Sequence, residues 1–189
     1  MEVQETGLEG LKLIKPKKFG DNRGFFSEVY SVRTMADAGI SDIFIQDNHS
    51  YSTEKGVVRG LHFQAPPHAQ VKLLRVTRGA IFDVAVDIRK GSPTYGRYFG
   101  TELSADNWCQ LYVPAGFAHG FATLTNDTEV LYKVDRFYTP SHDFGLRWDD
   151  PEIGINWPVA GEDAILSDKD RKHPELRNLV SPFQLGACA

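Results

Sequence analysis

The sequence predicts an all-β fold, a sandwich or small barrel of short antiparallel strands. Three observations carry that expectation. Short apolar runs recur along most of the chain, clusters of Gly, Pro, Asn and Asp separate them, and several runs alternate apolar and polar residues with a period of two. Strands are expected near 11–15, 25–30, 43–51, 57–63, 71–78, 80–88, 96–103, 109–113, 118–125 and 129–137. Gly20-Asp21-Asn22, Ala65-Pro66-Pro67, Arg78-Gly79, residues 89–93 and Asn126-Asp127 mark turns between them. One early helix is expected over 32–38, ended by Gly39. After about residue 140 the pattern loosens into Pro-rich segments, with one short helix candidate from Ser167, and this part is expected to wrap the sheet. There is no internal repeat and no low-complexity stretch, so a single domain is expected over 1–189 with its core at about 11–179.

Alternation assigns faces to individual strands. In 80–88, Phe82, Val84, Val86 and Ile88 share one side, and Asp83 and Asp87 share the other, away from the apolar face. In 129–135, Val130, Tyr132 and Val134 share the apolar side, which points Tyr132 into the core or a cavity. In 71–76, Lys72 falls on the side of Leu74 and Val76, where the plain reading is a strand-end lysine reaching back to water.

Composition removes several classes of function. A chain of 189 residues buries roughly 70% of its extended surface and needs no staple. Lys and Arg number 21 against 25 Asp and Glu, a formal charge of −4, which argues against binding to nucleic acid or to anionic lipid. No apolar run approaches the roughly 20 residues that span a bilayer, and MEVQETGLEG lacks the features of a secretory signal. The only cysteines are Cys109 and Cys188, the second in a tail expected to fray. A disulfide framework is therefore not expected, and a reducing cytoplasmic setting is.

Two local signatures carry chemistry. The first is Val58-Arg59-Gly60-Leu61-His62-Phe63-Gln64, followed by Gln70-Val71-Lys72; the second is Pro114-Ala115-Gly116-Phe117-Ala118-His119-Gly120-Phe121. A Pro-x-Gly turn feeding a strand that opens with His resembles the second half-motif of cupin jelly rolls, where the turn sets an imidazole at the mouth of a small barrel. Metal-binding cupins carry His-x-His and a nearby Glu in the first half-motif; here the chain reads His62-Phe63-Gln64 with no Glu before Gln70. Two histidines make a poor divalent site, and His68, the one further imidazole nearby, lies in a proline-bounded loop, so no metal is expected. Histidines without metal ligands point to acid–base chemistry: a His as general base, a carboxylate to orient it, a lysine or second His for a developing oxyanion, and a tyrosine to return the proton. Each residue alone has a packing role as its ordinary explanation; the co-occurrence carries the hypothesis.

The chain resembles the dTDP-4-dehydrorhamnose 3,5-epimerase family over about 11–179. The resemblance rests on residues 21–28 (DNRGFFSE), 46–50 (QDNHS), 59–64 (RGLHFQ), Lys72, 114–121 (PAGFAHGF), Tyr132-Lys133 and 166–170 (LSDKD). It implies a homodimeric cupin jelly roll acting on dTDP-4-dehydro-6-deoxy-D-glucose without metal or redox cofactor. It further implies His62 as general base, Asp170 as its orienting carboxylate, Tyr132 as general acid, Lys72 beside the C4 enolate oxygen, and His119 in the same pocket. Arg23, Glu28, Gln46, Asn48, Arg59, Asp143 and Lys169 fall on the family's substrate-binding positions, and Phe19, Phe26 and Tyr138 are candidates for stacking on thymine, with a core role as the alternative for Phe26.

Two features stand apart from that pattern. Strict alternation puts Arg59 and His62 on opposite faces of one strand, and Gly60 between them is the expected place for a bulge that re-aims one of them. Asp143 stands where the family pattern has Glu, and the shorter side chain is expected to loosen its contact. Asp83 is the second candidate partner for a pocket histidine, after Asp170. The competing functions are a mono-epimerase acting at C3 or C5 only, a non-catalytic sugar-nucleotide-binding cupin, and a metal-dependent cupin, the last disfavoured by the missing ligands.

Overall fold

A computed structural model describes residues 1–186; Cys188 lies outside the described residues. The strands are β1 (Glu2–Glu5), β2 (Lys12–Lys15), β3 (Phe19–Asp21), β4 (Gly24–Phe26), β5 (Gln46–Ser52), β6 (Val58–Gln64) and β7 (Lys72–Arg78). They continue as β8 (Ala80–Asp87), β9 (Tyr98–Ser104), β10 (Gln110–Val113), β11 (Phe117–Thr123), β12 (Thr128–Val134) and β13 (Asp143–Gly145). A six-stranded sheet runs β1-β2-β10-β7-β12-β5 and faces a five-stranded sheet, β13-β6-β11-β8-β9. Every pair in both is antiparallel. This is the expected cupin-type jelly roll.

The core between the sheets is built by period-two alternation. Leu74, Val76, Leu111, Val113 and Val130 enter it from one sheet, and Ile81, Ala85, Leu103, Phe117 and Phe121 from the other. The outer face of the five-stranded sheet is covered as well. Val84, Val86, Ile88, Leu61 and Phe63 pack there under Leu146, Ile153, Leu176 and Phe183 of the wrapping C-terminal segment. With both faces buried, the acidic side of β8 is not a solvent side: Asp83 and Asp87 are both wholly buried, which corrects their placement away from the core. The outer face of the six-stranded sheet takes Met35 and Ile40 of the segment around α1 (Val32–Asp37) against Ile14, Leu73 and Tyr112.

All ten expected strands are present and in order, with differences at their ends. The run at 25–30 shortens to β4, and the helix candidate from Ser167 is one 3-10 turn, Asp170–Lys172. Three short strands carry no apolar alternation and escape a sequence reading: β1, which is exposed throughout and lies before residue 11, β3, and β13, which pairs on the edge of β6. The β3–β4 hairpin pairs only with itself, and Phe19, Phe25 and Phe26 on it are 54%, 52% and 71% exposed. Phe26 therefore has no core role.

The predicted irregularity in β6 is present. His119 pairs with His62 and Phe121 with Arg59, so three steps along β6 match two along β11. The extra residue is Gly60, with φ of +128°. Val58, Leu61 and Phe63 then face the outer clusters, while Arg59 and His62 both line the space between the sheets. Glycine is needed on both strands here. A Cβ on Gly60 would lie 2.6 Å from the Gly120 Cα, and one on Gly120 would lie 2.6 Å from the Arg59 carbonyl oxygen. Gly60→Ala is expected to lose about 2 kcal/mol or more of stability in chemical denaturation, with a larger fractional loss of activity in the folded fraction, because Arg59 and His62 lose their shared direction.

Candidate active site

Opposing strands deliver their polar residues to one cavity of about 270 Å³ between the sheets. From the five-stranded sheet, β6 supplies Arg59 and His62, and β11 supplies His119. From the six-stranded sheet come Ser50 on β5, Lys72 on β7 and Tyr132 on β12. Ser167, Lys169 and Asp170 line it from the C-terminal segment.

The His62 imidazole donates from Nε2 to Asp170 Oδ1 at 2.5 Å. Asp170 is itself fixed locally: Ser167 Oγ donates to its Oδ2 at 2.9 Å, and its backbone N–H donates back to Ser167 Oγ at 3.1 Å. Burial pushes the Asp170 carboxyl up, but the imidazoles of His173 and His62 and the Ser167 hydroxyl outweigh it and hold the group well below the usual carboxylate range. Burial pushes His62 below its ordinary value; Asp170 opposes that shift and the Lys72 ammonium adds to it. The result at neutral pH is a neutral imidazole with its proton on Nε2, an anionic partner behind it, and the Nδ1 lone pair free to accept a proton.

Across the cavity, burial raises the Tyr132 phenol, with Arg59 partly offsetting and Asp143 adding to the effect. Tyr132 therefore holds its proton at neutral pH. Burial lowers Lys72 to about 8, against the opposing charges of Asp143 and Asp83. The lysine lies within the cavity wall beside Leu74, so the reading of a strand-end side chain reaching bulk water is corrected. His119 donates from Nε2 to Asp83 Oδ1 at 2.8 Å, both groups buried. Asp83 is thus the partner of the other histidine, and Asp170 that of His62. Among the described residues, Ser50 Oγ and Asp83 Oδ2 are buried without a hydrogen-bond partner; Ser50 lines the cavity, where such a group is ready to bind a polar ligand.

A second compartment of about 220 Å³ shares His62, Lys72 and Tyr132 and adds Gln46, Asn48, Gln64, Tyr138 and Asp143. Gln46 Nε2 donates to Asn48 Oδ1 at 2.8 Å. Asp143 Oδ2 accepts from Lys169 Nζ at 2.5 Å and from the Tyr138 hydroxyl at 2.9 Å. The shorter carboxylate makes two close contacts. Gln64, in the position of a second cupin histidine, is committed elsewhere: its amide donates to the carbonyls of His68 and Phe137 and accepts from the Thr139 N–H.

Two sequence-predicted residues are not brought to this cavity. Arg23 stands at the β3–β4 turn, paired with Asp21 at 2.5 Å and with its side chain 84% exposed, because that hairpin pairs only with itself. Glu28 accepts from Thr34 Oγ1 at 3.2 Å. His68, the possible third ligand, stacks edge-on against His142 with ring centres 4.5 Å apart. The third imidazole near the site is His173, which the sequence reading missed. Its ring centre is 5.5 Å from that of His62 and its Nε2 is 3.6 Å from Asp170 Oδ1. The available signal was its spacing of three from Asp170 across a 3-10 turn, a helix with about three residues per turn.

A jelly roll whose cavity sets a carboxylate-backed neutral histidine on one sheet against a protonated tyrosine on the other, with a half-buried lysine in the same wall, defines an acid–base cupin suited to moving protons next to a carbonyl. The match to known proteins gives the family. Residues 5–178 match the model of the dTDP-4-dehydrorhamnose 3,5-epimerase family, and the chain belongs to that family. A dTDP-4-dehydrorhamnose 3,5-epimerase of Sinorhizobium fredii is 54% identical, covering 97% of this chain and 94% of the relative. The crystal structure of the Bacillus anthracis dTDP-4-dehydrorhamnose 3,5-epimerase, with TDP and PPi bound, is 53% identical, with a TM-score of 0.89 over 92% of this chain and 98% of its own. That of a dTDP-6-deoxy-D-glucose-3,5-epimerase from Legionella pneumophila, in complex with dTDP-4-keto-L-rhamnose, is 42% identical, with a TM-score of 0.92 over 98% of this chain and 99% of its own.

The pH dependence follows from these shifts. With His62 lowered from 6.5, kcat/KM should fall only on the acid side of pH 6.5, as the base takes up a proton. With Lys72 near 8, it should fall again as pH rises through about 8 and the cation is lost. Lys72→Gln is expected to lower kcat by about 10²–10³-fold and remove the basic limb; a basic limb that survives this substitution belongs to another group.

Proposed function

We propose that this protein inverts C3 and C5 of dTDP-4-dehydro-6-deoxy-D-glucose, giving dTDP-4-dehydro-L-rhamnose. The observation that carries the proposal is the placement of the His62–Asp170 pair and Tyr132 on opposing sheets around one cavity. A C4 ketone acidifies the protons on both neighbouring carbons. His62 Nδ1 removes one of them, and the electron pair passes to the C4 oxygen, where the Lys72 ammonium meets the enolate charge. That charge is greater in the transition state than in the ketone, so the lysine favours the step rather than the binding. Tyr132 returns a proton from the other face and inverts the centre; repetition at the second carbon completes the reaction. The polarity change comes from the ketone and Lys72, so the scheme needs no metal or redox cofactor.

Arg59 and Lys169 supply cations for the pyrophosphate, and His119, Gln46, Asn48 and Asp143 line the sugar and nucleotide space. Arg23 and Glu28 enter the scheme through a second copy of the chain. The exposed β3–β4 arm, with Phe19, Phe25, Phe26 and a solvent-directed Arg23, suits docking on a partner cavity in a homodimer. Residues 1–189 are taken as one domain. Among the described residues no helix is long and apolar enough to cross a membrane, and the free thiol of Cys109 suits a cytoplasmic setting.

The test is to incubate the protein with the substrate in deuterated water and follow C3 and C5 by NMR. Deuterium is expected at both carbons, with the L-lyxo product trapped by a 4-reductase. Exchange at one carbon alone would make the protein a mono-epimerase, and none at either would leave a binding protein. His62→Ala should abolish exchange with nucleotide affinity largely retained. Tyr132→Phe should keep some exchange of the abstracted proton and lose most inversion. The dimer proposal has its own check, since refolded mixtures of His62→Ala and Arg23→Ala chains should recover about a quarter of wild-type activity if one site in each mixed dimer is intact; no recovery would place Arg23 in its own chain's site, and full activity of Arg23→Ala alone would place it in none.

A further inference from the structure

Behind the base, the C-terminal segment holds a second imidazole that the proton-transfer scheme does not use. His173 is only 10% exposed, and its Nε2 is buried without a hydrogen-bond partner among the described residues. That nitrogen is directed at Asp170 Oδ1, 3.6 Å away. Gly145 makes the placement possible, because a Cβ there would lie 2.3 Å from His173 Nε2. One ligand atom each from His62, Asp170 and His173 lies within 4.8 Å of the others.

We propose that His62, Asp170 and His173 form a binding site for a divalent transition-metal ion of the zinc type, and that its occupation switches off the base. The inference rests on the acid–base reading of His62 given above. Two imidazoles and a carboxylate are a donor set that zinc accepts. Ligand atoms about 2.0–2.2 Å from a tetrahedral zinc stand roughly 3.3–3.6 Å apart. The 3.6 Å between His173 Nε2 and Asp170 Oδ1 already fits that spacing, and the 2.5 Å between His62 Nε2 and Asp170 Oδ1 has to open. Ser167 Oγ, donating to Asp170 Oδ2 at 2.9 Å, is the outer partner that orients a ligating carboxylate.

The consequence for catalysis is a change of tautomer. Without metal, the one proton of neutral His62 is on Nε2 and the Nδ1 lone pair faces the task of abstraction. A metal binds through the Nε2 lone pair, which is available only once the ring proton has moved from Nε2 to Nδ1. No proton is released from His62 and nothing is oxidised or reduced, but Nδ1 becomes a donor with no pair to offer. The site is therefore inhibitory and supplies no step of the reaction. The ion is held behind the imidazole by the C-terminal segment, so it suppresses proton abstraction while leaving the nucleotide contacts in place.

The experiment uses tag-free protein treated with a chelator and then titrated with Zn²⁺, following deuterium exchange at C3 and C5. Exchange should fall to background at one Zn²⁺ per protomer, with calorimetric affinity for dTDP unchanged. His173→Leu and His173→Gln should each raise the inhibition constant by about tenfold or more, and either suffices if the other does not fold. Co²⁺ titrated into the same protein should give the absorption of a nitrogen- and oxygen-ligated tetrahedral or five-coordinate ion, lost in both variants. Equal inhibition of wild type and variants would overturn the proposal, as would stoichiometric binding with exchange intact. Absence of exchange in the chelated wild type would instead count against the acid–base reading, and the Co²⁺ spectra would still decide the metal site.

Discussion

The site depends on the close approach of two backbones, β6 and β11, at Gly60 and Gly120. A strand in strict alternation would turn Arg59 to one face and His62 to the other. One extra residue in β6 sends both between the sheets, and it fits only because neither strand carries a Cβ at the crossing. The same crossing fixes the partner strand, so His119 stands opposite His62 in register. A single steric condition thus aligns His62, the Arg59 guanidinium and His119 on one cavity.

The second condition is electrostatic. Ionisable groups placed between two apolar sheets are costly unless each is paired. Asp170 meets that cost with His62, Ser167 and the neighbouring His173; Asp83 meets half of it with His119 and leaves one buried oxygen without a partner. Lys72 has no ion pair within 4 Å among the described residues and is the group whose basicity burial reduces most visibly. These are the pairings that separate the roles: a carboxylate held anionic, an imidazole held neutral and a phenol held protonated, all at the same pH. The wrapping segment is therefore more than a cover for Val84, Val86 and Ile88, since it also carries the carboxylate that accepts the His62 Nε2–H.

Much of this was legible in the residues. Period-two alternation located ten of the thirteen strands, and it put Tyr132 and Lys72 on inward faces because the side chains of a strand can point only two ways. Where it failed, the reason was that a sandwich strand can be buried on both sides: alternation in β8 separates two buried faces, and Asp83 belongs to the inner one. The short strands β1, β3 and β13 are set by their partners' hydrogen-bonding edges and not by their own residues.

The sequence by itself determined the class of fold, the two histidine-bearing signatures, the break at Gly60 and the acid–base character of the chain, because these are local in pattern or residue type. Only the tertiary structure decided which carboxylate serves which histidine, that Arg23 and Glu28 stay outside their own chain's cavity, that Asp143 holds both Lys169 and Tyr138, and that His173 stands behind His62. Each of those joins residues far apart in the chain, or depends on which way an irregular segment turns. Such relations are fixed by the packing of the C-terminal wrap and by strand pairing, and neither leaves a period in the sequence.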